Sequence, residues 1–143
     1  MSGRFSDSVH REATTDAAIL RLQAPYEQRA SMFENFFHAG SLDFPEDVVA
    51  HVRAVSSVVP TVVDVFLDRP AILGPIVEAA SAVTANWGAN ADALLEVLTG
   101  GSPATGKLPF DVPSSMAAVE ASRPDVPFDT ADPLFRFGHG LSL

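Results

Sequence analysis

The chain has 143 residues, 47% hydrophobic and 19% charged, with a slightly positive mean hydropathy; this is the composition of a packed globular domain and excludes a disordered protein. A net charge of −9 with no Lys/Arg cluster repels phosphate backbones and anionic lipid, so neither nucleic acid nor a membrane is an expected partner. There is no cysteine, which removes disulfides, thiolate catalysis and the commonest structural zinc sites, and no apolar run approaches the ~20 residues of a membrane helix.

Met1 to Asp16 carry Arg4, Asp7, Arg11 and Glu12 and no apolar h-region, so they do not form a secretory signal. They read as a poorly ordered leader, residues 1–16, and a soluble, cytoplasmic location is the default. Ala17 to Leu22 is a short apolar run suited to a buried strand. From Gln23 to Phe44 no period is sustained, and Pro25, Tyr26, Glu27, Glu34 and several phenylalanines read as a long functional loop. Between Pro45 and Ser57, Val48, Val49, Val52 and Val55 recur at one-face spacing, with Pro45 at the first helical position and Glu46 and Asp47 favourable to the dipole.

Thr61 to Leu67 is rich in β-branched residues and nearly continuous in apolar character, as expected of a central strand covered on both faces. The apolar stretch from Pro70 to Ala80 predicts a helix that starts late, with Pro75 in its first turn. Ala82 to Trp87 predicts a third strand, and Asn90 caps a helix bearing Leu94, Leu95 and Leu98 that ends at Gly100. Strands alternating with helices imply an α/β domain with a mostly parallel sheet. Lys107 to Val112 reads as a short strand; the proline-broken tail beyond it, with Phe128, Leu134, Phe135, Phe137 and Leu141, is expected to pack down without regular structure.

Gly101-Ser-Pro-Ala-Thr-Gly-Lys-Leu108 imitates a phosphate-binding loop as far as its lysine. The hydroxyl that should follow is replaced by Leu108, and Pro109 continues into an extended segment instead of a helix, so nucleotide binding ranks last among the functions considered. His10, His38, His51 and His139 form no metal-ligand spacing, no cofactor is implied, and no Gly-x-Ser-x-Gly elbow is present. Glu27 and Glu34 lie in the loop after the C-terminal end of a strand, where α/β sheets bind ligands. Phe33, Phe36 and Phe37 offer an apolar surround that raises a carboxyl's pKa, as a general acid needs. The plainer alternative is a solvated loop glutamate paired with Arg29. Arg29 and His38 are the loop's weaker candidates for substrate contact.

Three segments in their order resemble the C-terminal domain of glycoside hydrolase family 3, a β-glucosidase-type family. They are Pro60-Thr-Val-Val-Asp-Val-Phe-Leu-Asp-Arg-Pro70; Gly106-Lys-Leu-Pro-Phe-Asp-Val-Pro113, similar to a Gly-Arg/Lys-Leu-Pro signature; and Pro133-Leu-Phe-Arg-Phe-Gly-His-Gly-Leu-Ser142, similar to the family's closing motif. The resemblance covers residues 17–143. It implies a three-layer α/β sandwich, and a retaining hydrolysis of oligosaccharides or aryl and alkyl β-glycosides by two carboxylates about 5–5.5 Å apart. The family's nucleophile sits on a (β/α)8 barrel that nothing in this chain resembles, so the barrel is an implied partner and the chain alone is expected to be inactive.

The family's acid/base is in many members a glutamate of the C-domain loop. Gly40-Ser-Leu-Asp-Phe-Pro45 resembles the exit from that loop, and counting back makes Glu34 the first candidate and Glu27 the second. Asn86-Trp-Gly-Ala-Asn-Ala-Asp92 departs from the family's usual turn at a place of substrate contact. The resemblance also implies a strand and helix ahead of Ala17, hence a domain incomplete at its N-terminus with an exposed sheet edge prone to self-association. The rival expectation is a noncatalytic module that binds sugar or a separate barrel chain.

Overall fold

A computed structural model describes residues 16–123 and 125–141. The leader expected over residues 1–16 lies outside them except for Asp16. The element order is β1 (Ala18–Gln23), α1 (Met32–Phe36), α2 (Glu46–Ser56), β2 (Thr61–Phe66), α3 (Gly74–Ala79), β3 (Ala82–Asn86), α4 (Ala91–Leu98), β4 (Val112–Pro113), α5 (Met116–Ala121) and β5 (Pro133–Phe135). β1, β2 and β3 form a parallel sheet in that order, and β4 and β5 pair antiparallel. The expected α/β class with a parallel sheet is therefore the one observed.

Alternation along β2 divides the sheet into two unlike faces. On one, Val63 and Val65 are fully buried with Val49 and Val52 of α2 and Ile76 of α3, and the neighbouring Leu20, Leu22, Val83 and Ala85 close around them. The two crossover helices also pack against each other, so this face is the hydrophobic core. Burying each such side chain contributes about 1.5–3 kcal/mol. On the other face the register sets Arg21 beside Asp64 and Asp64 beside Thr84. Asp64, 1% exposed, accepts hydrogen bonds from Arg21 Nε, Thr84 Oγ1 and Asn86 Nδ2, each at 2.9 Å. A carboxylate tolerates such burial because its lone pairs are met by a cation and two neutral donors. The apolar reading of β2 overlooked this polar rib.

Helix ends follow local chemistry. Asn90 accepts from the Ala93 amide at 2.8 Å and starts α4, and Pro75 stands in the first turn of α3, both as expected. Pro45 is the N-cap of α2 rather than its first residue: its ψ of 145° is extended, and its carbonyl accepts from the Val48 and Val49 amides.

Three stretches differ from expectation. The loop of residues 23–44 contains α1, begun by Ser31, whose hydroxyl accepts from the Glu34 amide at 3.2 Å. The strand expected over residues 107–112 shrinks to Val112–Pro113. Leu108 does exchange backbone bonds with His139 and Gly138, but Pro109 has no N–H, and the Asp111 carboxylate takes the Phe137 amide at 2.7 Å, so no continuous ladder forms. The tail is not irregular throughout: Ser115 caps α5, and Pro133–Phe135 pairs with β4. No helix among the described residues is long and apolar enough to cross a membrane.

Candidate functional site

The loop between β1 and α2 leaves the C-terminal end of the sheet, and it holds both sequence-predicted glutamates. They have unlike surroundings. Glu34 belongs to α1, where its carboxylate accepts from Ser31 Oγ at 2.8 Å while Ser31 Oγ accepts from the Glu34 amide, so the serine hydroxyl both caps the helix and holds the Glu34 side chain. Glu27 lies on the loop's first leg and is tied to its last. Its amide donates to Ala39 O at 2.9 Å, and its Oε1 accepts from the Ser41 amide and its Oε2 from Arg29 Nη2, both at 3.2 Å.

Gly40 makes this approach possible. Its φ is +97°, and a Cβ there would lie 2.7 Å from the Cβ of Glu27 and closer still to Cγ and Cδ. Only glycine meets both conditions at low cost. Arg29 is fixed in turn by Asn35, whose Oδ1 accepts from the Arg29 amide at 2.5 Å and whose Nδ2 donates to its carbonyl at 2.8 Å. The expected pairing with Arg29 is thus made by Glu27, and Glu34 takes Ser31 instead.

His38 stacks on Tyr26 with ring centroids 4.0 Å apart and bonds the Asp68 carboxylate through Nδ1. Its φ of +42° is left-handed, a conformation non-glycine residues adopt when the surroundings hold them there. Those surroundings are the turn after β2, Asp68 and Arg69. Sequence reading overlooked both as loop anchors, although a charged pair closing a central strand at its C-terminal end is a signal in its own right.

The aromatic residues do not form the apolar shell expected around Glu34. Met32 (90%), Phe33 (75%), Phe36 (80%) and Phe37 (62%) are exposed, and Phe37 meets Phe33 and Phe36 edge-on. A five-residue helix presents one side to its own loop and leaves the rest outward. A groove of about 280 Å³ runs beside the loop between Gln23, Tyr26, Phe44 and Val48, and neither glutamate lines it. Among the described residues no group of three or more His, Asp or Glu could hold a metal ion.

The phosphate-loop imitation is resolved by its partners. The Gly101 and Ser102 amides donate to Glu96 O at the end of α4, Lys107 Nζ donates to Gly140 O, and Lys107 leads into extended chain rather than a helix. A Cβ on Gly140 would lie 2.3 Å from Gly106 O, so the lysine and the glycines make a backbone clasp for the tail.

Residues 3–143 match the profile described as glycosyl hydrolase family 3 C-terminal domain. Over 141 residues the chain is 50% identical to "Beta-glucosidase C" of Emericella nidulans, with 99% of this chain and 23% of that protein aligned. It is 46% identical to "Periplasmic beta-glucosidase/beta-xylosidase" of Dickeya chrysanthemi, over 93% of this chain and 21% of that one. Its fold superposes on the β-glucosidase of Listeria innocua crystallised with glucose, at a TM-score of 0.68 and 18% identity, covering 89% of this chain and 20% of that one. The chain thus spans about a fifth of the length of these relatives. With the profile matched from residue 3 to residue 143, this chain belongs to glycosyl hydrolase family 3, as its C-terminal domain.

Proposed function

We propose that this chain is the acid/base-bearing part of a retaining β-glucosidase whose nucleophile stands on a (β/α)8 barrel outside it, and that Glu27 is the acid/base. The observation that carries the choice is the fixed position of Glu27 between the two legs of the loop: its amide on Ala39 O, its Oε1 on the Ser41 amide, and its side chain seated on Gly40. Glu34, the first candidate from sequence, has its carboxylate on the Ser31 hydroxyl at the start of α1. A group that protonates a glycosidic oxygen and then takes a proton from water must return to one position in both steps, and a carboxylate fixed at its flanks does so. The substrate class is β-linked glucosides, with sugar contacts from Arg29 and His38.

The exposed surface of Met32, Phe33, Phe36 and Phe37 supports the same reading, because apolar side chains clustered beside a site mark where another body covers it. On this proposal the barrel covers α1, and the chain by itself turns over no glucoside.

The test uses a complete β-glucosidase carrying this domain. Glu27→Gln is expected to slow glucosides with poor leaving groups by about 10²–10⁴-fold and those with good leaving groups far less. Glu34→Gln is expected to leave that selectivity unchanged; the reverse pattern returns the role to Glu34. Sugar binding without turnover in the completed assembly would instead favour a noncatalytic module.

A further inference from the structure

Arg69 follows β2 by three residues and projects its guanidinium beneath the Glu27 loop. Nη1 donates to Pro25 O at 3.4 Å and to His38 O, and Nη2 donates to Gly40 O at 2.8 Å. These carbonyls come from both legs of the loop: Pro25 lies two residues before Glu27, and Gly40 immediately precedes the Ser41 amide on which Glu27 rests. Every hydrogen bond of Arg69 among the described residues goes to a loop carbonyl. Asp68 completes the anchor by taking the His38 ring and, at 3.5 Å, the Gln23 side chain.

We infer that Arg69 is a positioning residue for the acid/base: it draws the two legs of the loop together so that Ser41 and Arg29 meet the Glu27 carboxylate. This rests on the assignment of Glu27 made above. A guanidinium suits the task because its planar, spread donors reach separate carbonyls at once. Lysine has the same charge at a single nitrogen and cannot span the same acceptors. The loop is otherwise closed by single surface contacts, the Glu27 amide on Ala39 O, the Ser41 amide on Glu27 Oε1 and the His38 ring on Asp68, and contacts of this kind open readily. Without the clamp Glu27 keeps its covalent place and loses its fixed position, and a misplacement on the order of 1 Å is enough to cost about 10²-fold in rate.

The first measurement is amide hydrogen exchange on the full chain, comparing wild type with Arg69→Lys. The Glu27 and Ser41 amides are expected to exchange at least about tenfold faster, with the core amides of β2 unchanged. Unchanged exchange at both loop amides overturns the clamp. Should Arg69→Lys lower protection in β2 as well, Arg69→Gln, which retains one donor for one carbonyl, is read at the same two amides by the same criterion.

The second measurement places Arg69→Lys in a complete β-glucosidase and compares leaving groups. A loosened loop with a selective loss on poor leaving groups, up to about 10²-fold, supports both the clamp and Glu27. A loosened loop with equal losses leaves the clamp standing and removes Glu27 from the acid role.

Discussion

Two polar arrangements cross this domain, and they differ in what they hold. In the sheet, Asp64 binds Arg21 and Thr84, which stand beside it in register, and Asn86, two residues further along β3, and the carboxylate is fully buried. In the loop, Arg69 binds the carbonyls of Pro25, His38 and Gly40, which belong to no ladder and lie partly in solvent. The sheet rib shares its fate with the core beneath it, so breaking it affects the whole domain. The loop clamp holds a segment that can open alone, so breaking it affects position more than stability.

The largest expected effect breaks the rib. Asp64→Ala leaves the buried Asn86 amide and the half-buried Thr84 hydroxyl without their acceptor and removes the partner of Arg21, and removing one member of a buried ion pair costs about 3–5 kcal/mol. Because the Arg21 side chain is 44% exposed and regains water, the lower end, about 3 kcal/mol, is expected. Urea unfolding of the chain measures it. A change within about 0.5 kcal/mol would mean that water already reaches Asp64 and that the rib resembles the clamp.

Gly40→Ala strikes the loop at Glu27 itself rather than through Arg69. The new Cβ meets the Glu27 side chain in a backbone conformation disfavoured for alanine, which costs the closed loop about 1–3 kcal/mol. Faster exchange at the Glu27 and Ser41 amides is expected, with a smaller shift of the urea midpoint. An equal fall in global stability would show that the loop and sheet unfold together. Asn90→Ala, by contrast, removes the cap of α4 and is expected to lower global stability by about 1 kcal/mol, seen as a shifted midpoint with unchanged loop exchange.

What was legible in the sequence follows the same division. β2, α3 and α4 were readable because their signals are local: β-branched residues in Thr61 to Phe66, Pro75 at a helix start, and Asn90 before a leucine-bearing run. The loop's place after a strand end was readable as well, from the apolar run before it and its resemblance to the family's exit motif. The holding of Glu27 was not, because it depends on Arg69, 44 residues from Pro25 in sequence, and on Asp68, 30 from His38. Asp64 was hidden by its apolar neighbours, whose pattern says that a strand is central without saying which cross-strand groups satisfy its one charge. α5 was missed for a different reason: the prolines of the tail outweighed Ser115-Met-Ala-Ala-Val-Glu, although Ser115 is a sound cap.

The smallest expected effect concerns α1. Ser31→Ala removes the hydroxyl that accepts from the Glu34 amide and donates to the Glu34 carboxylate, and it leaves a five-residue helix without its cap. So short a helix is marginal even when capped, and none of its residues is buried, so α1 is expected to fray while global stability moves by less than about 0.5 kcal/mol. Backbone chemical shifts over residues 32–36 report the fraying. The Glu27 and Ser41 amides are expected to keep their protection, because their partners are Ala39, the Glu27 carboxylate and the legs held by Arg69. If those amides exchange as fast as in Gly40→Ala, the loop behaves as one unit, and Glu34 bears on the position of Glu27 through Ser31 and Asn35. If they do not, the capping of α1 by Ser31 and the positioning of Glu27 are separate within the one loop.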